Sequence, residues 1–157
     1  MPMPMLRDTT PVSGASALLR VSDLSKHYVL AGNKPFKALN AVSFELHGSR
    51  TLGIVGESGC GKSTLGRTLM RLQEASGGSV DFDGLDWISP GAKPLREHRR
   101  RMQMVFQDPF SSLNPKHSVG QVVREPLDIH WRDKSRAQRM QRVRELLATV
   151  GLQHSDA

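Results

Sequence analysis

The pattern of apolar and polar positions predicts an antiparallel sheet near the start of the chain. From Ala17 the chain reads ALLRVSDLSKHYVL and, after the loop AGNKPF, ALNAVSFEL. In these stretches Leu39, Val42, Phe44 and Leu46 mark short β-rich segments. A further strand, SVDFDG, follows the Gly77–Gly78 break. Residues 1–16 show no periodicity and are predicted to form a flexible tail before one domain of residues 17–157.

Two short apolar runs predict further strands. Leu52–Val55 precedes a glycine-rich turn, and Gln103–Phe106 precedes the loop DPFSSLNP. Short apolar runs bounded by turn formers are typical of buried strands. After the glycine-rich turn, Leu65, Leu69 and Leu72 recur at helical spacing. The order strand, loop and helix is therefore predicted around that turn.

Three helices are predicted in the second half of the chain. The stretch PLREHRRRM predicts a short basic helix opened by Pro94. The stretch SVGQVVREPLDIH predicts a helix that is interrupted near Pro126, because proline lacks the backbone donor. A last helix is predicted over residues 133–150. Its apolar stripe consists of Ala137, Met140, Val143, Leu146, Leu147 and Val150.

Composition narrows the class of protein. A length of 157 residues suits one domain. With 38% hydrophobic and 24% charged residues, the composition is that of a folded globular protein rather than a disordered one. The single cysteine, Cys60, cannot form an internal disulfide. Neither a membrane-spanning run nor a signal peptide is recognisable, so a cytoplasmic location is expected.

The charge balance permits anionic partners. Lysine and arginine number 22 against 15 acidic residues, which gives a net charge of +7. The cluster Arg96, His98 and Arg99–Arg101 is a candidate contact for nucleic-acid phosphates, but a solvated helix face is the favoured explanation. Aromatic residues make up only 5%, which disfavours a base-stacking platform. The six histidines lack the spacing of metal ligands, so no structural metal is predicted.

The strongest chemical motif is the glycine-rich loop. Residues 56–63 read GESGCGKS, which is the phosphate-binding loop pattern of two glycines five apart followed by lysine and a hydroxyl residue. Glycines let backbone N–H groups turn toward phosphates, and a helix N-terminus adds its positive dipole end. Lys62 is predicted to reach the β- and γ-phosphates, Ser63 to bind Mg²⁺, and Thr64 to touch the α-phosphate. The predicted nucleotide-binding residues are Gly56, Ser58, Gly59, Cys60, Gly61, Lys62, Ser63 and Thr64. The alternative is a plain strand-to-helix turn with a solvated lysine.

Three stretches together carry a family resemblance. LSKHY, GESGCGKSTLGR and MQMVFQDPFSSLNP resemble the ATP-binding subunits of ABC transporters, in particular the oligopeptide and dipeptide importer group. The resemblance runs from about Leu18 to the C-terminus. It implies an α/β P-loop NTPase fold of the ABC type, truncated, with an antiparallel β-subdomain and the start of a helical subdomain. It also implies that strands from a second half of the domain lie between Leu52–Val55 and Gln103–Phe106.

The resemblance adds two site residues. Tyr28 corresponds to the aromatic residue that stacks on adenine; the alternative is an ordinary strand aromatic. Gln107 corresponds to the glutamine that coordinates Mg²⁺ and orients the attacking water; the alternative is a polar residue at a strand end. Residues 108–115 then correspond to the hinge loop between the γ-phosphate and the membrane subunit.

Partners also follow from the resemblance. It implies ATP and Mg²⁺, transmembrane permease subunits, a second ATP-binding subunit in a homo- or heterodimer, and indirectly a solute-binding protein, at the inner face of the cell membrane. No nucleic acid is expected. The LSGGQ-type signature, the acidic residues after an apolar strand and the switch histidine of the family do not occur, so the chain is expected to bind ATP without hydrolysing it. The open alternatives are a P-loop regulator without a transport role and a basic nucleic-acid-binding protein.

Overall fold

The computed structural model describes residues 16–89, 98–108 and 113–152. The chain divides into two compact units, residues 1–95 and residues 96–157. Of the predicted flexible tail, only Ser16 is among the described residues. Among the described residues, the first unit contains a sheet and one helix, and the second contains two longer helices.

The first unit is built on the predicted antiparallel sheet. Its strands are β1 (Ala17–Leu30), β2 (Lys34–His47), β3 (Gly77–Phe82) and β4 (Leu85–Asp86), in the spatial order β2-β1-β3-β4. All neighbouring pairs are antiparallel. Strand β1 therefore has a hydrogen-bonded neighbour on each side, whereas the equally long β2 is an edge strand.

Burial in this unit follows the alternation of the strands. Val21 of β1 lies opposite Val80 of β3, and the two side chains are 2% and 1% exposed. Leu24 is fully buried. The other buried apolar residues of the unit are Leu19, Leu39, Leu65, Phe82 and Trp87. The core thus joins three strands to the helix that carries Leu65.

A bulge in β1 explains the glycine pair at the start of β3. The register of β1 shifts after Ser22, and Asp23 has a φ of 50°. A Cβ atom on Gly78, whose φ is 92°, would lie 2.5 Å from the Asp23 carbonyl oxygen. Only glycine satisfies both the left-handed backbone and this approach.

The helix of the first unit, α1, spans Lys62–Leu69 and ends earlier than the leucine spacing predicts. The Arg71 N–H donates to the Thr68 carbonyl and the Leu72 N–H to the Arg67 carbonyl, which are the two bonds of a Schellman C-cap. Arg71 takes the left-handed position with a φ of 50°. Leu72 therefore lies beyond the helix and is 56% exposed, rather than on its apolar stripe.

The second unit contains a 3₁₀ turn (Arg99–Arg101), α2 (Val119–His130) and α3 (Arg136–Thr149). Both α-helices begin with a capping box, Ser118 with Gln121 and Ser135 with Gln138. Within the predicted stripe of α3, Val143 and Leu147 are buried, whereas Val150 follows the helix and is 70% exposed. Residues 94–97 of the predicted basic helix lie outside the described residues, so this part of the prediction is not tested.

The prediction that Pro126 interrupts its helix was wrong. Helix α2 continues through Pro126 to His130. Proline removes one N–H donor, but the Trp131 N–H donates to the Leu127 carbonyl, so the ladder resumes after the missing bond. Asp128, on the last turn, lies 3.0 Å from the Arg124 guanidinium and 3.1 Å from that of Arg139 on α3. The pair with Arg124 lies within α2 and spans the proline, and the pair with Arg139 links α2 to α3.

The prediction of strands at Leu52–Val55 and Gln103–Phe106 is not met in the structure. Neither run belongs to a strand, and within the described ranges no backbone hydrogen bond pairs their residues with a neighbouring strand. A β-strand requires a partner for its N–H and C=O groups, whatever its side-chain pattern. Val55 is 70% exposed and Val105 is 91% exposed.

Across the residues that the structure describes, none of the helices has the length and apolar character needed to cross a membrane.

Candidate nucleotide-binding site

The glycine-rich loop leads directly into α1, as predicted. Gly59 and Gly61 have φ values of 79° and 101°, in the left-handed region that favours glycine. A Cβ atom on Gly61 would lie 2.5 Å from the Ala38 carbonyl oxygen and 3.3 Å from Leu39 Cδ2. Glycine at this position therefore allows α1 to begin against strand β2.

The N-terminus of α1 presents backbone donors. The first helical bond runs from the Leu65 N–H to the Gly61 carbonyl, over 2.8 Å. Within the described part of the chain, no acceptor pairs with the backbone N–H groups of Lys62, Ser63 and Thr64. The N-cap is a glycine without a capping side chain, and the first turn carries no acidic residue. Three N–H groups at the positive end of the helix dipole form a site for an anion.

The Lys62 side chain folds over the loop. Its Nζ donates to the carbonyl oxygens of Gly56 and Glu57, over 2.7 Å and 2.6 Å, and lies 3.6 Å from Cys60 Sγ. Ser63 is exposed and Thr64 is half-buried. The ammonium group, the Ser63 hydroxyl and the helix N-terminus are therefore carried on one short stretch of backbone. The arrangement suits a phosphate chain with its Mg²⁺.

The far end of α1 is fixed to the sheet by contacts that the sequence did not indicate. The Trp87 indole N–H donates to the Leu69 carbonyl over 2.6 Å, and the Arg71 guanidinium donates to the Trp87 carbonyl over 3.0 Å. Trp87 is 2% exposed and packs edge-on against Phe82. The buried Thr68 hydroxyl donates to the Thr64 carbonyl within the helix. The hydrogen bonds of Trp87 set the position of α1, and hence of the glycine-rich loop that precedes it.

The structure places Tyr28 in the same unit as the phosphate loop. Tyr28 lies opposite Phe36 in the β1–β2 register, and Lys26 lies opposite Leu39. Leu39 lies against Gly61, and Phe36, which lies opposite Tyr28, is on the same strand as Leu39. At about 3.3 Å per residue, the distance along β2 from Phe36 to Leu39 is roughly 10 Å, and this distance separates Tyr28 from the level of the loop. The ring is half-buried. Its hydroxyl donates to the Gln73 Oε1 over 2.6 Å, and the Lys26 Nζ lies 5.1 Å from the ring centroid.

Gln107 belongs to the second unit, where its side chain is exposed. Of the predicted hinge loop, Asp108 and residues 113–115 are described, and residues 109–112 are not. In the basic cluster, Arg99–Arg101 are exposed and form the 3₁₀ turn, while Arg96 lies outside the described residues. The roles of Gln107 and Tyr28 stay predictions.

Comparison with known proteins identifies the family. The sequence pattern described as "ABC transporter" matches residues 39–157, which include the phosphate loop, the helix that it begins and Gln107. The chain belongs to the ABC transporter family. The predicted resemblance is confirmed, and so is the predicted fold, a P-loop domain of the ABC type.

The relatives that the chain matches include peptide transport proteins. It is 48% identical over 141 residues to the oligopeptide transport ATP-binding protein OppF of Bacillus subtilis, with 89% of this chain and 46% of that protein covered. It is 42% identical over 140 residues to the dipeptide transport ATP-binding protein DppF of Escherichia coli, with 86% and 42% covered. The chain thus spans less than half the length of these two curated relatives.

Solved structures of the family have a similar fold. One is the dimeric, post-hydrolysis state of the ATP-binding cassette MJ0796 bound to ADP and Pi, with a TM-score of 0.71 and 26% identity. A second dimeric structure of MJ0796 has a TM-score of 0.66 and 25% identity. Each match covers 88% of this chain and 60% of the solved chain.

Proposed function

We propose that residues 17–157 form the N-terminal part of one ABC ATP-binding domain, in the energy-coupling subunit of an importer of oligopeptides or dipeptides. The observation that carries the proposal is the N-terminus of α1, where three N–H groups without acceptors among the described residues adjoin the Lys62 ammonium. The names of the matched relatives, which describe oligopeptide and dipeptide transport, support the substrate class.

In this proposal each residue of the loop has a separate role toward ATP. The backbone of Gly56, Ser58, Gly59, Cys60 and Gly61 surrounds the phosphates. Lys62 binds the β- and γ-phosphates, and Thr64 binds the α-phosphate. Ser63 and Gln107 are the proposed ligands of Mg²⁺, which neutralises phosphate charge when bound. The donor set fits this group, since the exposed Ser63 hydroxyl lies next to the Lys62 ammonium in sequence at a helix N-terminus.

Tyr28 is proposed to stack on the adenine. Its half-buried ring lies on the strand next to the one that supports Gly61, so one nucleotide can extend from the loop toward the ring. Gln107 is proposed to orient the attacking water through its side-chain amide, which makes it the catalytic residue of the set in a full-length protein.

Assembly and location are part of the same proposal. A permease in the membrane, a second ATP-binding subunit and, indirectly, a solute-binding protein are the proposed partners, with the chain bound peripherally at the cytoplasmic face. The dimeric state in the titles of the two MJ0796 structures supports the second subunit. Because the signature, the acidic strand end and the switch histidine do not occur in the 157 residues, we propose that this chain binds ATP without turnover.

Titration calorimetry with ATP and Mg²⁺ on Lys62→Ala tests the binding site. Losing hydrogen bonds from a charged group costs about 1.5–3 kcal/mol, so the affinity should fall by roughly 10- to 150-fold. Lys116→Ala is the matched control, because it removes the same charge from an exposed loop of the second unit. Circular dichroism of both variants checks that the fold is kept. Equal ATP affinities for the two variants would contradict the proposed phosphate site.

A further inference from the structure

Gln73 is bound to the ring that is proposed to hold the nucleotide base. Its Oε1 accepts the Tyr28 hydroxyl over 2.6 Å, across 45 positions of sequence. Gln73 follows α1 and is half-buried, as is Tyr28. On one face of the ring the Lys26 Nζ lies 5.1 Å from the centroid. The ring is therefore restrained both at its hydroxyl and on one face.

The segment that carries Gln73 is itself fixed to the sheet. Before it, the Arg71 guanidinium donates to the Trp87 carbonyl. After it, the Ser76 N–H donates to the Ser25 carbonyl over 2.8 Å, and the His27 N–H donates to the Ser76 hydroxyl over 2.9 Å. Gln73 thus accepts the hydroxyl from a segment that is anchored at both ends. A fixed acceptor holds the hydroxyl end of the ring in one position, whereas a mobile one would move with it.

We propose that Gln73 is a positioning residue for the nucleotide base: it holds the hydroxyl end of the Tyr28 ring in place so that the face opposite Lys26 is presented to the base. The inference rests on the proposed ATP binding and extends the site to the segment that leaves α1. Stacking depends on how the two rings are oriented. A ring ordered before binding avoids the entropy loss of being ordered by the ligand.

We expect removal of the Gln73 amide oxygen to weaken binding of the nucleotide base and to leave binding of the phosphates unchanged. Gln73→Met keeps the length of the side chain but removes the amide oxygen. Its affinity for ATP should fall by about three- to tenfold, the size expected for the freedom of one side chain, while its affinity for inorganic tripolyphosphate should stay the same. Gln73→Glu keeps an acceptor for the hydroxyl. Its ratio of ATP affinity to tripolyphosphate affinity should therefore stay at the wild-type value, even where its added charge weakens both ligands.

A double-mutant cycle with Tyr28→Phe tests whether the effect passes through the hydroxyl. Tyr28→Phe should lower the affinity ratio as Gln73→Met does, and the double variant should lose no more than either single one. Gln141→Met, in the second unit, is the matched control. Additive losses, equal losses for ATP and tripolyphosphate, or an unchanged ratio in Gln73→Met would each overturn the inference.

The Lys62→Ala variant separates this inference from the proposed function. If both ligands bind the wild-type protein and both depend on Lys62, the phosphate site stands, and the Gln73 variants then decide the inference alone. If neither ligand depends on Lys62, the proposed function fails, and the positioning role fails with it.

Discussion

The sheet and the two apolar runs, Leu52–Val55 and Gln103–Phe106, contain the same kinds of residue, yet only the residues of the sheet form paired strands. Val21 in the central strand is 2% exposed, whereas Val105 is 91% exposed. The difference lies in the backbone partners. Strand β1 is paired on both sides, while Leu52–Val55 and Gln103–Phe106 have no strand partner within the described residues. An apolar pattern therefore indicates which segments favour a strand, but pairing decides whether a strand forms.

Amide hydrogen exchange should give the largest contrast between the two regions. Amides of residues 19–22, in the middle of the sheet, should open only with global unfolding, whereas those of residues 52–55 should exchange from the native state. For a domain of ordinary stability the protection factors should differ by about a thousandfold or more. Mass spectrometry or NMR at constant pH measures the difference. Similar protection in the two segments would mean that residues 52–55 are paired after all.

Truncation of one side chain in each region should give the next largest contrast. Leu24 is fully buried, so Leu24→Ala should lower the free energy of unfolding by about 2–5 kcal/mol. Val55 is 70% exposed, so Val55→Ala should change it by less than about 0.5 kcal/mol. Urea denaturation followed by circular dichroism measures both. A cost above 2 kcal/mol for Val55→Ala would show that this run is buried in solution.

Two glycines sharpen the comparison at the border between the apolar run and the phosphate loop. Gly61→Ala should cost about 1–3 kcal/mol of stability, because its left-handed φ and its approach to Ala38 both oppose a Cβ atom. Gly53 lies in the unpaired run with open space around its Cβ position, so Gly53→Ala should stay within about 0.5 kcal/mol. Thermal or urea unfolding of both variants tests this. Equal costs would remove the distinction between a fitted loop and an open segment.

Features with a local cause were predictable from the sequence. The two strands within residues 17–47 were predicted from their β-rich segments, and the start of α1 near Lys62 follows from the glycine-rich motif. The end of α1 was not predictable in the same way. Its C-cap uses Arg71 in a left-handed conformation, where sequence rules look for glycine.

The parts of the site that were missed depend on distant partners. Neither Trp87 nor Gln73 belongs to a motif, and each acts through hydrogen bonds to residues far along the chain. The continuation of α2 through Pro126 likewise reflects the bonds that follow the proline rather than the proline itself. Such contacts exist only in the folded chain, so no local sequence pattern predicts them.

The folded-back position of Lys62 means that phosphate binding is an exchange of hydrogen-bond acceptors. In the structure the ammonium group has two acceptors, the carbonyl oxygens of Gly56 and Glu57. When a phosphate accepts hydrogen bonds from the ammonium group, charged acceptors replace neutral ones. The two carbonyl oxygens then accept hydrogen bonds from water or from other donors. The gain for Lys62 is therefore the difference between two kinds of acceptor, which is smaller than the strength of a new ion pair.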